Sequence, residues 1–275
     1  MERAGRQSAI AITNLEKVYV TQDGSQIRAL GPVSMNINPH EFVSVVGPSG
    51  CGKSTLLKIA AGLIPLSAGS LTIHGEQVVA PRKDVGMVFQ SPVLLPWKTI
   101  LQNILLPIEI RNQPVNAFTE RAMELISLVG LDGFHDRYPH ELSGGMQQRA
   151  AIVRALVCDP DILLMDEPFG ALDAITRDQM NVELLEIWAR TKKTVLFITH
   201  GIAEAVFLSD RVVVLGARPG QVIEEFVVDL PRPRNIKHMA LSEFGQATTR
   251  IRLALERGSV FHSMSGAAKA LGTSA

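Results

Sequence analysis

"EFVSVVGPSGCGKSTLLKIA" (41–60) decides how this chain folds. A β-branched apolar run breaks at Gly47, passes through a glycine-rich loop and enters a stretch whose apolar residues recur at helical spacing. Strand, loop and helix in that order give the G-x-x-x-x-G-K-[ST] pattern, met here by Gly47, Gly52, Lys53 and Ser54, its mechanism. Gly47, Gly50 and Gly52 let the backbone curl so that successive N–H groups point at one centre, where the positive end of the next helix also points. Pro48, Ser49, Cys51 and Thr55 complete the loop. Lys53 reaches β- and γ-phosphates and the Ser54 hydroxyl ligates Mg²⁺, so the reading is a nucleoside triphosphate site.

Three more apolar runs end in polar residues, the pattern of open α/β sheets that carry ligands at the C-terminal ends of their strands. "ILLMDEP" (162–168) ends a strand at Asp166, a carboxylate able to hold Mg²⁺ directly or through water. Glu167 follows as the candidate to polarise an attacking water. Two adjacent acids at the end of a buried strand are costly without a nearby cation, so a structural role suits them poorly. "KTVLFIT" (193–199) leads to His200, whose imidazole can hydrogen-bond a γ-phosphate or the water. Taken alone, a strand-end histidine is more often structural than catalytic; read with the other elements, the balance reverses. "DVGMVF" (84–89) leads to Gln90, a neutral side chain that both donates and accepts and can contact Mg²⁺ or its water without adding charge.

Helical periodicity covers 53–62, 101–110, 116–129, 145–158, 174–191 and 202–208. Further strands are expected in "AIAITNLEKVYV", "SLTIHG", "RVVVLG" and "QVIEEFVVDL", some of them antiparallel. The stretch 91–145 holds no convincing strand and reads as a helical insert. The fold class expected is therefore α/β: a P-loop NTPase core with a mostly parallel central sheet, an N-terminal antiparallel β subdomain and an inserted α-helical subdomain. "DLPRPR" (229–234) is a proline-punctuated boundary, which divides the chain into a domain of residues 8–230 and an extension of 231–275. In the extension Leu241, Phe244, Ala247, Ile251 and Leu255 fall at helical spacing, so one amphipathic helix is expected to pack back on the domain. The small, polar residues of 258–275 are expected to fray.

At 275 residues and 46% hydrophobic the chain can bury a substantial core. Its 27 Lys and Arg balance 27 Asp and Glu, which leaves no basic field for nucleic acid. No segment approaches the ~20 apolar residues that span a bilayer, and the N-terminus lacks the apolar core of a signal peptide. Residence in the cytoplasm is the expectation. His135 and His140 have no third ligand beside them and read as surface residues.

"LSGGMQQR" (142–149) narrows the NTPase class. The sequence resembles the ATP-binding cassette family, whose signature is LSGGQ; Met146 takes the fifth position and glutamines the next two. Ordinary residue frequencies put a chance match on the order of 10⁻⁵ for the whole chain. The resemblance covers residues 8–230 in the family's order, with Tyr19 as the aromatic expected to stack on adenine, then the phosphate loop, Gln90, Leu142, Ser143, Gly144, Gly145 and Met146 of the signature, Asp166–Glu167, "GALD" (170–173) with Asp173, and His200. "LLPWKTILQNI" (94–104) and residues 207–234 are most similar to the nitrate, sulfonate and taurine importer group.

The resemblance implies an ATPase subunit that uses ATP and Mg²⁺ and pairs head to tail with a second copy of itself. The signature of one copy then faces the γ-phosphate held by the other, with Ser143 and the N–H groups of Gly144 and Gly145 as the contacts. It also implies transmembrane permease subunits as partners, an indirect role for a solute-binding protein, and a peripheral place on the cytoplasmic face of the membrane. The competing class is a soluble ATPase of the same superfamily acting on nucleic acid or ribosomes. Its usual marks, a second cassette, coiled-coil arms, zinc motifs or basic tails, are not visible in the sequence. Trp97 in "PWKT" (96–99) is either a core residue or an anchor for the permease. Two departures from the family stand at Gly201, where Asp is common, and Gly170, where Ser is common. Cys51 is either a small residue that fits the loop or a thiol whose pKa is depressed by the helix N-terminus and Lys53.

Overall fold

Alternation builds the first sheet. The computed structural model describes residues 8–271, with side chains through Gly258. In β1 (Ile10–Val20) Ile10, Ile12 and Leu15 are buried, and in β2 (Gln26–Ile37) Val33, Met35 and Ile37 are buried while Ser34 and Asn36 between them face out. Successive side chains of a strand point to opposite faces, so this period of two lays one face of the hairpin on the core. Asn14 in the left-handed region marks an irregularity in the β1–β2 register. β3 (Phe42–Val46) is buried along its whole length, and its one polar residue, Ser44, is satisfied by the Ser209 hydroxyl. α1 (Lys53–Ala60) follows the phosphate loop, then β4 (Ala68–Ile73) and β5 (Glu76–Gln77). β2, β1, β4 and β5 make a four-stranded sheet in that order, antiparallel throughout.

The chain forms two compact units, Met1–Pro81 with Leu196–Ala275, and Arg82–Val195. In the second, β6 (Val85–Val88) lies parallel to a strand 77 residues later in sequence, pairing Val85 with Ile162 and Val88 with Met165. A parallel pair needs a long crossover. Here it consists of α2 (Ile100–Ile110), α3 (Asn116–Leu128) and α4 (Gly144–Leu156), which lead into β7 (Ile162–Asp166). The span 91–145 contains no strand, as its composition predicts. α2 begins at a capping box in which Thr99 accepts from Gln102 N–H and Gln102 accepts from Thr99 N–H. Its Ile100, Ile104 and Ile108, four residues apart, are fully buried as one stripe. α5 (Ala174–Thr191) completes the unit, and β8 (Thr194–Ile198) begins in it and ends in the other.

Back in the first unit come α6 (Ile202–Leu208), β9 (Arg211–Leu215), β10 (Val222–Val227) and α7 (Ser242–Leu271). β9 runs parallel to β3 and antiparallel to β10, and β8 lies on the other side of β3. The "DLPRPR" segment is an anchor as well as a turn. Arg234 is buried and donates to the carbonyls of Val206, Phe207 and Ser209 (2.8–3.1 Å) and to Leu230 O (3.2 Å). The carbonyls at the end of a helix lack partners within it, and this guanidinium supplies them. Burial, with Arg232 nearby, brings its pKa down to about 10. Arg232 donates to Asp210, whose other carboxylate oxygen accepts from Phe42 N–H (2.9 Å).

α7 packs on its own unit through Phe244 and Ile251 of the expected stripe and through Ala254 outside it, while Ala247 and Leu255 are half-buried. Leu241 precedes the helix and is 40% exposed, so it is not part of that stripe. The helix continues to Leu271, into the stretch 258–275 expected to fray; residues 272–275 lie outside the described residues. A helix that is already nucleated continues at the cost of one residue's entropy per hydrogen bond, so small residues do not stop it.

Candidate functional site

The phosphate loop leaves β3 at Gly47 and enters α1 through Gly52, whose φ of 104° and close neighbour Ala29 O leave no room for a Cβ. Ser49 and Gly50 are exposed, Pro48, Ser54 and Thr55 half-buried, and Cys51 and Lys53 buried. Lys53 Nζ donates to Gly47 O (2.8 Å) and Pro48 O (3.1 Å), which holds the ammonium against the loop rather than in solvent. Burial pushes the Cys51 thiol above its ordinary pKa, and the Lys53 charge opposes this by less. The idea of a thiol depressed by its surroundings is therefore corrected: the helix end is positive, yet desolvation of a thiolate at 1% exposure costs more.

Thr199 N–H donates to Val45 O (3.3 Å), so the chain after β8 leaves the sheet beside the start of the phosphate loop. His200 is exposed at that point. The Gly201 departure has a local reason. Thr199 Oγ accepts from Gly201 N–H (2.9 Å) and its hydroxyl donates to Glu204, and a Cβ at 201 would stand 3.3 Å from Glu204 Cβ. Glu204 in the first turn of α6 supplies the acid there. Tyr19, at the end of β1, is 39% exposed with Lys17 Nζ 5.1 Å from its ring centroid.

In the second unit Asp166 closes β7 and Glu167 takes a positive φ of 44°, a turn that ends the strand at the two acids. Glu167 O accepts from Gly170 N–H (3.0 Å). A Cβ on Gly170 would stand 3.3 Å from both Gln90 Nε2 and Glu167 O, so glycine there lets Gln90 lie against the turn that carries the acids. Arg177 secures the rest of that turn by donating to Phe169 O (3.3 Å) and Leu172 O (2.7 Å). Asp173 caps α5, accepting from Thr176 N–H (3.0 Å), and the hydroxyl and amide of Thr176 hold its carboxyl below the usual range.

The signature opens α4. Leu142 is buried, Ser143 and Gly144 are exposed, and Gly145 and Met146 half-buried. Ser143 is the N-cap, its Oγ accepting from Met146 N–H (3.3 Å). Neither glycine has a positive φ, and the amides of Gly144 and Gly145 make no hydrogen bond among the described residues. These are the first donors of a helix, pointing out of its end with no side chain over them. Gln147 folds back on Pro139 O and Leu142 O.

Sequence reasoning missed three supporting side chains. Gln148, buried, donates to Phe89 O (3.1 Å), the residue before Gln90. Arg177 fixes the turn of the acids, and Arg218 donates to Gly50 O (2.8 Å). Gln148 stood in the signature run as a possible signal; the arginines had none. Trp97 is 70% exposed, which removes the core alternative. Asn103 holds its loop, accepting from Leu95 N–H and donating toward the carbonyls of Leu95, Lys98 and Thr99.

The ABC transporter family matches this chain over residues 30–170. The taurine import ATP-binding protein TauB of Rhizobium johnstonii is 49% identical over 78% of this chain and 82% of its own. The nitrate import ATP-binding protein NrtD of Synechocystis sp. is 45% identical over 81% of this chain and 83% of its own. Among solved structures, the dimeric MJ0796, a bacterial ABC transporter cassette, superposes with a TM-score of 0.70 and 34% identity, covering 81% of this chain and all of that one. A phosphate loop on β3, two acids at the end of β7 and an open-ended signature helix agree with these likenesses: the chain is an ATPase of the ABC transporter family.

Proposed function

We propose that this chain is the ATP-hydrolysing subunit of an importer for a small solute such as nitrate, taurine or another sulfonate. The observation that carries the reading is the acidic turn, where Asp166 and Glu167 end β7 with Gln90 lying against Gly170. The names of the two import relatives support the solute class.

The roles follow from chemistry. Tyr19 stacks on the adenine, and Gly47, Pro48, Ser49, Gly50, Cys51, Gly52, Lys53, Ser54 and Thr55 hold the phosphates, with backbone amides and the Lys53 ammonium as donors. Ser54, Gln90 and Asp166 offer a hydroxyl, an amide oxygen and a carboxylate, an all-oxygen set that suits Mg²⁺. When bound, that ion neutralises phosphate charge. Glu167 accepts the proton of the attacking water as general base, and His200 donates a hydrogen bond toward the γ-phosphate.

Ser143, Gly144 and Gly145, with Leu142 and Met146 framing them, serve the nucleotide of a second copy. The amides of Gly144 and Gly145, which make no hydrogen bond among the described residues, support a contact with an anion from outside the subunit, as does the dimeric cassette relative. Asp173 holds the start of α5 beside the "GALD" turn.

No helix among the described residues is long and apolar enough to cross a membrane. Permease subunits therefore supply the path, with this chain docked at their cytoplasmic face through the α2 region and Trp97. A solute-binding protein acts only through them. Co-expression with a permease and solute-binding protein of a nitrate or taurine importer tests the reading. In vesicles, ATP-driven accumulation of labelled nitrate or taurine supports it. A soluble complex with nucleic acid or ribosomes, and no membrane partner, refutes it.

A further inference from the structure

The turn between β9 and β10, together with the C-terminal helix α7, borders a cavity of about 400 Å³. Such a volume is in the range of small-molecule sites. Its polar lining comes from Arg218, Gln221, Glu224 and Arg257, and its apolar lining includes Pro219 and Ile223. Arg257 donates to Glu224 (2.8 Å), so two guanidinium groups stand against one carboxylate. The excess charge is positive, which selects against cations.

One of those arginines also belongs to the phosphate loop's support. Arg218 Nε donates to Gly50 O (2.8 Å), and a Cβ at Gly50 would stand 2.5 Å from its guanidinium. Gly220, two residues on, lies so close that a Cβ would fall 2.0 Å from Cys51 O. The same residue donates to Ala29 O (3.1 Å) and accepts from Gly31 N–H (3.0 Å). The turn is thus pinned to β2 and laid flat on the phosphate loop on one side, while the cavity opens on the other. A guanidinium has five donors in a planar fork. With Nε used on Gly50 O, no other hydrogen bond of Arg218 is made among the described residues, so its terminal nitrogens, one of them beside Gly50, still have donor capacity.

We propose that this cavity binds a small organic anion, a carboxylate or sulfonate head on Arg218 and Arg257 and a short apolar body against Pro219 and Ile223. Through Arg218 the anion and the nucleotide on the phosphate loop strengthen each other's binding. An anion that fixes the Arg218 fork also fixes Gly50 O, so part of the ordering of the loop is complete before ATP arrives. This coupling rests on the loop holding ATP, whereas the binding itself does not. Linkage requires the two effects to be equal.

Calorimetric titration of the full chain with 1-butanesulfonate and with butyrate, against n-butanol as the neutral control, tests this. Both anions are expected to saturate and butanol not to. Arg257→Glu weakens the anions at least about tenfold, the scale of a lost charge-assisted pair, and leaves ATPase activity without anion unchanged. Ile223→Trp, which fills the cavity without altering charge, does the same and guards against a folding defect in the first variant. ATP analogue and anion tighten each other by the same factor in the native chain. Absence of saturable anion binding up to about 10 mM, a range that detects even weak sites, overturns the proposal. So does equal binding by both variants. Anion binding with no effect on nucleotide affinity overturns the coupling through Arg218 while leaving the assignment of the phosphate loop intact.

Discussion

Gln148 and Phe89 are joined by a hydrogen bond of 3.1 Å from the buried amide of one to the backbone carbonyl of the other. It ties the first turns of the signature helix to the residue before Gln90, within one compact unit. Gln148→Met keeps the volume and removes the donor, which leaves a carbonyl unpaired at a cost of about 1–3 kcal/mol. Urea unfolding followed by circular dichroism reads this, and ATP turnover falls with it because Gln90 loses its tether. Unchanged turnover at reduced stability would show that the tether serves folding alone.

Replacing Glu167 by Gln removes the proposed base and keeps the shape of the turn. Turnover is expected to fall by roughly 10²–10⁴-fold, the range of general-base catalysis, while ATP binding persists and the closed dimer accumulates. Near-normal hydrolysis takes Glu167 out of the role.

Ser143→Asp separates the two functions of one side chain. Aspartate caps a helix as well as serine does, so melting temperature should hold. The new charge opposes the γ-phosphate of the second copy, so ATP-dependent dimerisation, followed by size-exclusion chromatography, should be lost. A Ser143→Asp chain that still dimerises with ATP would exclude the signature contact.

Arg234→Met tests the anchor at the end of α6. Four carbonyls share that guanidinium, and unpaired buried acceptors cost about 1–3 kcal/mol each before relaxation or water entry. A loss on the order of 3 kcal/mol in urea unfolding is expected. A change below about 0.5 kcal/mol, the scale of an ordinary surface substitution, would mean that water replaces it without cost.

Cys51 gives a pH-dependent test. Its folded thiol holds the proton more tightly than the unfolded one, because burial raises its pKa. The resulting contribution to stability is fully present below the unfolded pKa and is lost as pH rises through the folded one. At about pH 8 native Cys51 should be alkylated by iodoacetamide at least about tenfold more slowly than in urea, since the thiolate is the nucleophile. Mass spectrometry measures both rates, and equal rates would contradict a protonated, covered thiol.

Local patterns made most of the elements legible. The expected helix at 174–191 is observed as Ala174–Thr191, and 116–129 as Asn116–Leu128, because apolar periodicity and cap residues are written in consecutive positions. Glycine spacing and paired acids marked the candidate site for the same reason. Contacts between distant residues left no such trace. Gln148 meets Phe89 across 59 positions and Arg218 meets Gly50 across 168, and neither side chain looks unusual among its neighbours. The family departure at Gly170 was visible as a letter, but its reason, the room it leaves for Gln90 Nε2, exists only in three dimensions. Between the two readings of Cys51 the sequence could not choose, because charge is local in sequence and burial is not.

The loop of Trp97 is already ordered by Asn103 before anything touches it. Fixing a backbone residue costs about 1–2 kcal/mol of conformational entropy, and a freely moving loop would incur that cost at each residue on meeting a partner. Here the cost is met during folding, by an amide inside α2. An indole displayed on such a rigid mount can dock and release many times with little reorganisation, so contact with a partner at this surface can be tight in geometry and still rapid in exchange.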